Sequence, residues 1–268
     1  MCSAINPEPP GVLRLTAHPL RWRLLAELAR SDRQVRELME LIGQQQSLTS
    51  YHLGQLRAGG LVTVRRSSAD KRDSYYSLNL LACRNLLAEA GALLHPGLRL
   101  TPAALAPPGP DPRGAGELPV RVIFLCTGNS SRSQMAEAIL QQLGGERVDV
   151  VSAGGQPKPL HANTVRVMGE SGIDMTKRRP KHLSDFLEQR FDYVISLCDR
   201  LREVCPDFPR ARAVVHWSVP DPAAEAVSAE QSYAQFQRTA EELRTRVEFL
   251  LYAIDHATAA REGASVVG

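Results

Sequence analysis

No stretch of the chain approaches the roughly 18 uninterrupted apolar residues of a membrane-spanning helix, so no membrane span is expected. The N-terminus lacks the basic-then-apolar pattern of a secretory signal, and a cytoplasmic protein is expected. Cysteine is scarce, with five in 268 residues; in a reducing compartment such thiols serve catalysis or metal binding rather than structural cross-linking. The net charge is only +3 at pH 7, too small to diagnose a nucleic-acid partner by itself. No internal repeat is present. Against these absences stand 43% hydrophobic and 23% charged residues, enough for packed cores. The length is generous for one core, which favours two domains. The charge is also uneven: residues up to His95 carry roughly +4 and the remainder is near neutral.

From His95 to Pro119 prolines and glycines crowd together. They forbid a long helix or a central strand and favour an extended, semi-rigid spacer. The expected organisation is a first domain over 1–95, a linker over 96–118 and a second domain over 119–268.

The second domain opens with the most informative segment of the chain. An apolar run from Val120 to Leu125 leads into Cys126-Thr127-Gly128-Asn129-Ser130-Ser131-Arg132-Ser133, with a helical stretch following from Gln134 to Leu143. A strand-to-helix turn points successive backbone N–H groups into one concavity, and the start of the helix adds partial positive charge. A tetrahedral anion fits there. Arg132 adds a bidentate fork for two of its oxygens, and the same field favours a thiolate at Cys126, with Ser133 placed to hydrogen-bond it. The whole segment Thr127, Gly128, Asn129, Ser130, Ser131, Arg132 and Ser133 is the expected oxyanion-binding loop. Downstream, strands are expected at Val148 to Ser152, Tyr193 to Leu197 and Ala213 to His216, and helices at Asn163 to Glu170 and Glu230 to Asp255. This alternation predicts an α/β fold with a four-stranded parallel sheet. Asp221, on a loop after the last strand, is placed to donate a proton to an oxygen leaving the anion. Cys198 and Cys205 have no second close pair or histidine motif beside them, so redox use is favoured over metal ligation, and no metal site is expected. Were the segment between them helical, the Cα atoms would lie roughly 10 Å apart, too far for a disulfide without looping it out. His161, His182 and His216 read as packing or surface residues.

In the first domain, leucine stripes mark three helices: Leu20, Leu24, Leu25 and Leu28; Val35, Leu38, Leu41 and Ile42; Leu48, Leu53 and Leu56. Two strands follow, Leu61 to Val64 and Tyr75 to Leu78, bracketing a basic turn from Arg65 to Asp73, and a further apolar helix spans Leu80 to Leu94. Helix, turn, helix and hairpin make a winged helix-turn-helix, mainly α with a β-hairpin wing. The third helix presents Gln46, Ser47, Ser50, Tyr51, His52 and Gln55 to base edges or phosphates, and Arg65, Arg66, Lys71 and Arg72 on the wing contact phosphate.

His18-Pro19-Leu20-Arg21, Ser50-Tyr51-His52-Leu53 and Leu56-Arg57-Ala58-Gly59-Gly60-Leu61-Val62 resemble the arsenic-responsive (ArsR-type) winged-helix repressors over about residues 12 to 94. The resemblance implies operator DNA as a partner and a homodimer through this domain. The paired-cysteine motif by which members of that family often sense metal is missing from Val35 to Ile42; Cys2 and Cys83 are the domain's only thiols. From about Arg121 to Ile254 the chain resembles the thioredoxin-coupled arsenate reductases built on the low-molecular-weight tyrosine phosphatase fold. The matching motifs are Cys126 to Ser130, Arg132 to Glu137, Ser152-Ala153-Gly154, Gly172-Ile173-Asp174, Cys198, Cys205-Pro206, His216-Trp217 and Asp221-Pro222.

That second resemblance implies arsenate as substrate, no tightly bound cofactor and thioredoxin as electron donor. It also implies a potassium ion beside the loop near Glu137 and Ser152, as in some relatives. Its catalytic set would be Cys126, Arg132, Cys198, Cys205 and Asp221, acting as a three-thiol relay. Two other readings remain: a tyrosine phosphatase with a DNA-binding regulatory domain, and a transcription factor whose second domain only senses an oxyanion.

Overall fold

The computed structural model describes residues 8–98, 118–204, 207–224 and 228–265, and the chain divides into two compact units, 1–104 and 105–268. Most of the expected linker, residues 99–117, lies outside the described residues, as do Cys2 and Cys205.

The first unit begins with α1 (Gly11–Thr16), a short helix that the leucine stripes do not reveal, and α2 (Pro19–Arg30). Pro19 occupies the first helical position of α2, and His18 caps it by accepting from the Leu20 N–H at 3.2 Å. A two-residue strand β1 (Arg33–Gln34) precedes α3 (Val35–Ile42), whose start is closed by Glu37 accepting from the Gln34 N–H at 2.7 Å. Gly43, at φ +66°, ends α3 in the left-handed conformation that glycine adopts without strain. Then come α4 (Gln46–Ala58), the wing strands β2 (Val62–Arg66) and β3 (Ser74–Leu78), and α5 (Leu80–Leu94). The sheet order is β1-β3-β2, all antiparallel, so β1 adds a third strand to the hairpin. Val12, Leu24, Leu28, Leu38, Ile42, Leu53, Leu56 and Leu61 form one core. Leu41 and Leu48, expected inside, are exposed. A stripe wider than the contact face of a short helix leaves its flanks in solvent.

The second unit contains β4 (Val120–Cys126), α6 (Arg132–Gly144), β5 (Val148–Gly154), α7 (Ala162–Glu170), β6 (Phe191–Ser196), α8 (Asp199–Val204), β7 (Ala211–His216) and α9 (Ala229–Ser265). The strands are parallel in the order β5-β4-β6-β7. β4 is paired on both edges, and Val122 to Leu125 are fully buried, which is why this strand reads as an unbroken apolar run. β7, at the edge, alternates between exposed and partly buried residues instead. Phe236, Leu243, Val247, Leu251 and Ile254 along α9 enter the core. The chain leaves β4 toward β5 and returns past it to β6, so the strand order reverses beside the C-terminal end of β4. In open α/β sheets that reversal opens the crevice where ligands bind, and Cys126 stands at its mouth.

Candidate active site and nucleic-acid interface

The turn after β4 is pinned from behind. Thr127 O accepts from Gln156 N at 2.8 Å, Gly128 O from Lys158 N at 2.8 Å, and Ser130 O from His161 N at 3.0 Å. In a trans peptide the carbonyl and the following N–H point in opposite directions. Carbonyls held outward therefore turn the N–H groups of Gly128, Asn129 and Ser131 inward, and the Asn129 N–H indeed donates to Cys126 Sγ at 3.2 Å. Cys126 Sγ also lies 2.9 Å from Ser133 Oγ. The concavity expected from the sequence thus has a mechanical cause, the segment from Gly155 to His161.

Asn129 is the hub of the loop. It takes φ +44°, a conformation that asparagine tolerates better than most residues. Its Nδ2 donates to Ser133 Oγ at 2.9 Å and Ser152 Oγ at 2.8 Å, and its Oδ1 accepts from Gln134 Nε2 at 3.0 Å and Lys181 N at 2.8 Å. Ser152 in turn donates to Glu137.

Glu137, the residue expected beside potassium, is itself held by two cations. Arg178 lies 2.9 Å from its Oε1 and Lys181 Nζ 3.0 Å from its Oε2. Both carboxylate oxygens already face protein cations, so the donor set does not suit a further monovalent cation. Exchanging potassium for sodium at fixed ionic strength should leave kinetics and thermal midpoint unchanged. Lys181→Met should lower kcat/KM by about tenfold, the smaller end of what outer supports of a site cost. Steady-state assays and thermal melts in the two salts check both outcomes.

Arg132 is buried at the start of α6, its Nη1 donating to Val219 O at 3.0 Å and its Nη2 to Asp221 Oδ2 at 3.1 Å. Arginine and aspartate, 89 residues apart in sequence, are therefore brought together, the guanidinium inside and the carboxylate 42% exposed. Cys198, directly before α8, is buried with its Sγ 3.2 Å from Thr127 Oγ1. Burial pushes its thiol above the usual cysteine range, while the charge of Arg132 pulls it back. Cys205 lies outside the described residues. Sequence reasoning missed Gln134, Arg178, Lys181 and Asp199. It treated His216 as packing, yet His216 is a hydrogen-bonded partner of Asp199. His161 and His182 each cap a short helix.

In the first unit α4 exposes Gln46, Ser47, Ser50, Tyr51 and Gln55. His52 does not join them: it is buried, with its ring 4.4 Å from that of His18. Burial, then the charges of His18 and Arg21, hold it below the usual histidine range. Its assignment to the DNA surface is corrected; the ring turns onto His18, the cap residue of α2, rather than outward. On the wing Arg66, Lys71 and Arg72 are exposed and Arg65 is half-buried. Arg72 grips Asp70 through Nε and Nη2, which holds that carboxyl down at about 2 and tempers the wing's positive charge. Cys83 is half-buried, with Sγ 3.7 Å from Leu61 O, and burial raises its pKa; that environment is one of helix packing.

A cysteine at a strand end, five loop residues with inward N–H groups and an arginine paired to a distant aspartate define a cysteine-based oxyanion-transfer domain, here joined to a winged helix. The chain belongs to the low molecular weight phosphotyrosine protein phosphatase family, whose model matches residues 121–260. The first unit is similar to the MarR family, whose model matches residues 15–73. Arsenate reductase of Halalkalibacterium halodurans is 38% identical over 127 residues, 47% of this chain and 91% of that protein. The arsenate reductase of Bacillus cereus strain 03BB102 is 36% identical over 127 residues, 47% of this chain and 90% of its own length. A solved arsenate reductase in its phosphate-binding state aligns at 30% identity and a TM-score of 0.45, covering 50% of this chain and 98% of that one. The chain is thus a fusion of a winged-helix regulator-type domain with an arsenate-reductase-like domain. The motifs of this unit resemble the arsenic-responsive repressors, whereas the family model that matches it is that of the MarR family. Among the described residues, no helix is long and apolar enough to cross a membrane.

Proposed function

We propose that the second domain reduces arsenate to arsenite through Cys126, Cys198 and Cys205, with thioredoxin restoring the thiols. The observation that carries this reading over simple phosphoester hydrolysis is the second buried thiol, Cys198, against the oxyanion loop at Thr127. A hydrolase needs one cysteine there; an electron transfer needs a second sulfur to accept the first. Arsenate sits in the N–H cradle with Arg132 on two oxygens. The Cys126 thiolate attacks arsenic, and Asp221 protonates the departing oxygen, which leaves as water. Cys198, as a thiolate, then attacks the Cys126 sulfur. The sulfur–arsenic bond breaks, its electron pair stays on arsenic, and arsenite leaves from a Cys126–Cys198 disulfide. Cys205 attacks Cys198 and frees Cys126 as thiolate, and the dithiol of thioredoxin reduces the Cys198–Cys205 disulfide. The end of α8 suits such a partner: Val204, next to Cys205, is 75% exposed.

Cys198→Ser should retain phosphate binding and abolish multiple turnover in an assay of arsenate-dependent NADPH oxidation with thioredoxin and its reductase. Because burial raises the Cys198 pKa, formation of the first disulfide should accelerate as pH rises toward and through the cysteine range. Normal turnover by Cys198→Ser, with rapid release of phosphate from an aryl phosphate, would return the assignment to a phosphatase.

The first domain, in the same proposal, binds operator DNA through Gln46, Ser47, Ser50, Tyr51 and Gln55, with Arg65, Arg66, Lys71 and Arg72 at phosphates. Arg66→Ala should weaken binding to every duplex alike and reduce the salt slope by about one, measured by titration at several ionic strengths. Leu13 on α1 and Leu81, Leu87, Leu93 and Leu94 on α5 are exposed on two helices that pack together, and this apolar surface supports a homodimer through that domain.

A further inference from the structure

The chain buries an acid–base pair that the relay does not use. Asp199, the first residue of α8 and the one following Cys198, is fully buried. Its Oδ1 accepts from His216 Nε2 at 3.0 Å and from Ser218 Oγ at 2.7 Å. His216 is anchored on its other side, with Nδ1 2.9 Å from Ser196 Oγ and 3.2 Å from Ser196 O. Ser196, His216 and Ser218 are themselves buried, so these bonds form away from competing water.

What Asp199 joins gives it meaning. On one side is α8, a helix of six residues, too short to hold itself without tertiary support, whose buried residues are Asp199 and Leu201. On the other side is the segment after β7, in which Ser218 is followed by Val219, whose carbonyl holds Arg132, and by Asp221, whose carboxylate does the same. A single carboxylate thus ties the backbone that bears Cys198 to the loop that aims the guanidinium and carries the acid.

We propose that Asp199, oriented by His216, is a positioning residue that sets the Cys198 thiol and the Asp221 loop together. Unwinding of α8 to form the Cys198–Cys205 disulfide would then also release the loop and loosen the anion cradle of the oxidised enzyme. This rests on the roles given above to Cys198 and Asp221.

The test uses the full, reduced chain and three measurements: calorimetric affinity for inorganic phosphate, the rate of arsenite formation in a single turnover without thioredoxin, and the thermal midpoint. Asp199→Ala should lose about tenfold or more in both affinity and rate. Asp199→Asn, which keeps an oxygen for Ser218 and His216, should recover most of each. Leu251→Ala, a core truncation on α9 beside Gly144 of α6, should lower only the midpoint. Wild-type affinity and rate in Asp199→Ala would overturn the proposal, as would equal losses in Leu251→Ala at a similar midpoint. Absence of single-turnover arsenite in the wild type would refute the role of Cys198 instead, and the phosphate affinities alone would then decide whether Asp199 holds the loop.

Discussion

Cys126→Ser should reduce no arsenate, its kcat/KM falling by about 10,000-fold or more, as when a nucleophile is removed from a covalent mechanism. The serine hydroxyl would occupy nearly the same place, near Ser133 Oγ and the Asn129 N–H, and could neither ionise at neutral pH nor form the disulfide on which electron transfer depends. Anion binding should survive, because the cradle is made by the backbone N–H groups of the turn and by Arg132, none of which the substitution touches. Calorimetry with phosphate and the thioredoxin-coupled assay separate the two. Unchanged affinity with no turnover is the expected pattern; turnover within about tenfold of the wild type would remove Cys126 from the chemistry. The same pair of measurements on Arg132→Lys should give a different profile, with affinity lost along with turnover, since an ammonium cannot reproduce the two-pronged contact.

The fold was legible where burial and periodicity agree. β4 and α6 announce themselves because a strand paired on both edges must be apolar throughout and because the turn between them needs small polar residues. α5 begins and ends where its apolar run does. The failures have equally local causes. α1 is six residues with one buried side chain, Val12, too short to show a period. Leu48 and His52 exchange expected roles because the polarity of a side chain does not determine which way its helix turns. Histidine is amphipathic enough to stack on another ring when the packing asks for it.

Within the site, the residues that touch the anion could be read from their spacing, since one turn holds them all. Those that hold the turn could not. Asn129 was visible as a loop former, yet its link through Ser152 to Glu137, Arg178 and Lys181 joins segments that approach only after the sheet has formed. Asp199 and His216 are hidden for the same reason, a polar pair in a core whose partners lie 17 residues apart. A buried charge leaves no periodic trace, and only its need for a partner reveals it.

Gly154 shows how strongly that scaffold constrains the chemistry. It ends β5 opposite Cys126 in the register of the sheet, and its N–H donates to Lys181 O at 2.9 Å. A Cβ at this position would lie 2.8 Å from both Asn129 N and Thr127 O and 3.0 Å from Asn129 Cβ. Two of these atoms are backbone of the oxyanion loop itself, so nothing flexible can yield, and the loop must move away from the strand. Gly154→Ala should therefore cost about 1–3 kcal/mol of stability, the usual range for overpacking. Its functional cost should be larger, because a shift near 1 Å in a positioned group is worth about a hundredfold in rate. Loss of phosphate affinity is expected with it, as the Asn129 N–H swings off the sulfur. Gly155→Ala provides the comparison: there the nearest atom would be Leu201 Cδ1 at 3.2 Å, the end of a buried but flexible side chain rather than backbone, and activity should fall by less than about threefold, since a side-chain end can yield where a backbone atom cannot. Equal behaviour of the two variants in the coupled assay would mean that the close approach of β5 to the loop does not govern the geometry of the site.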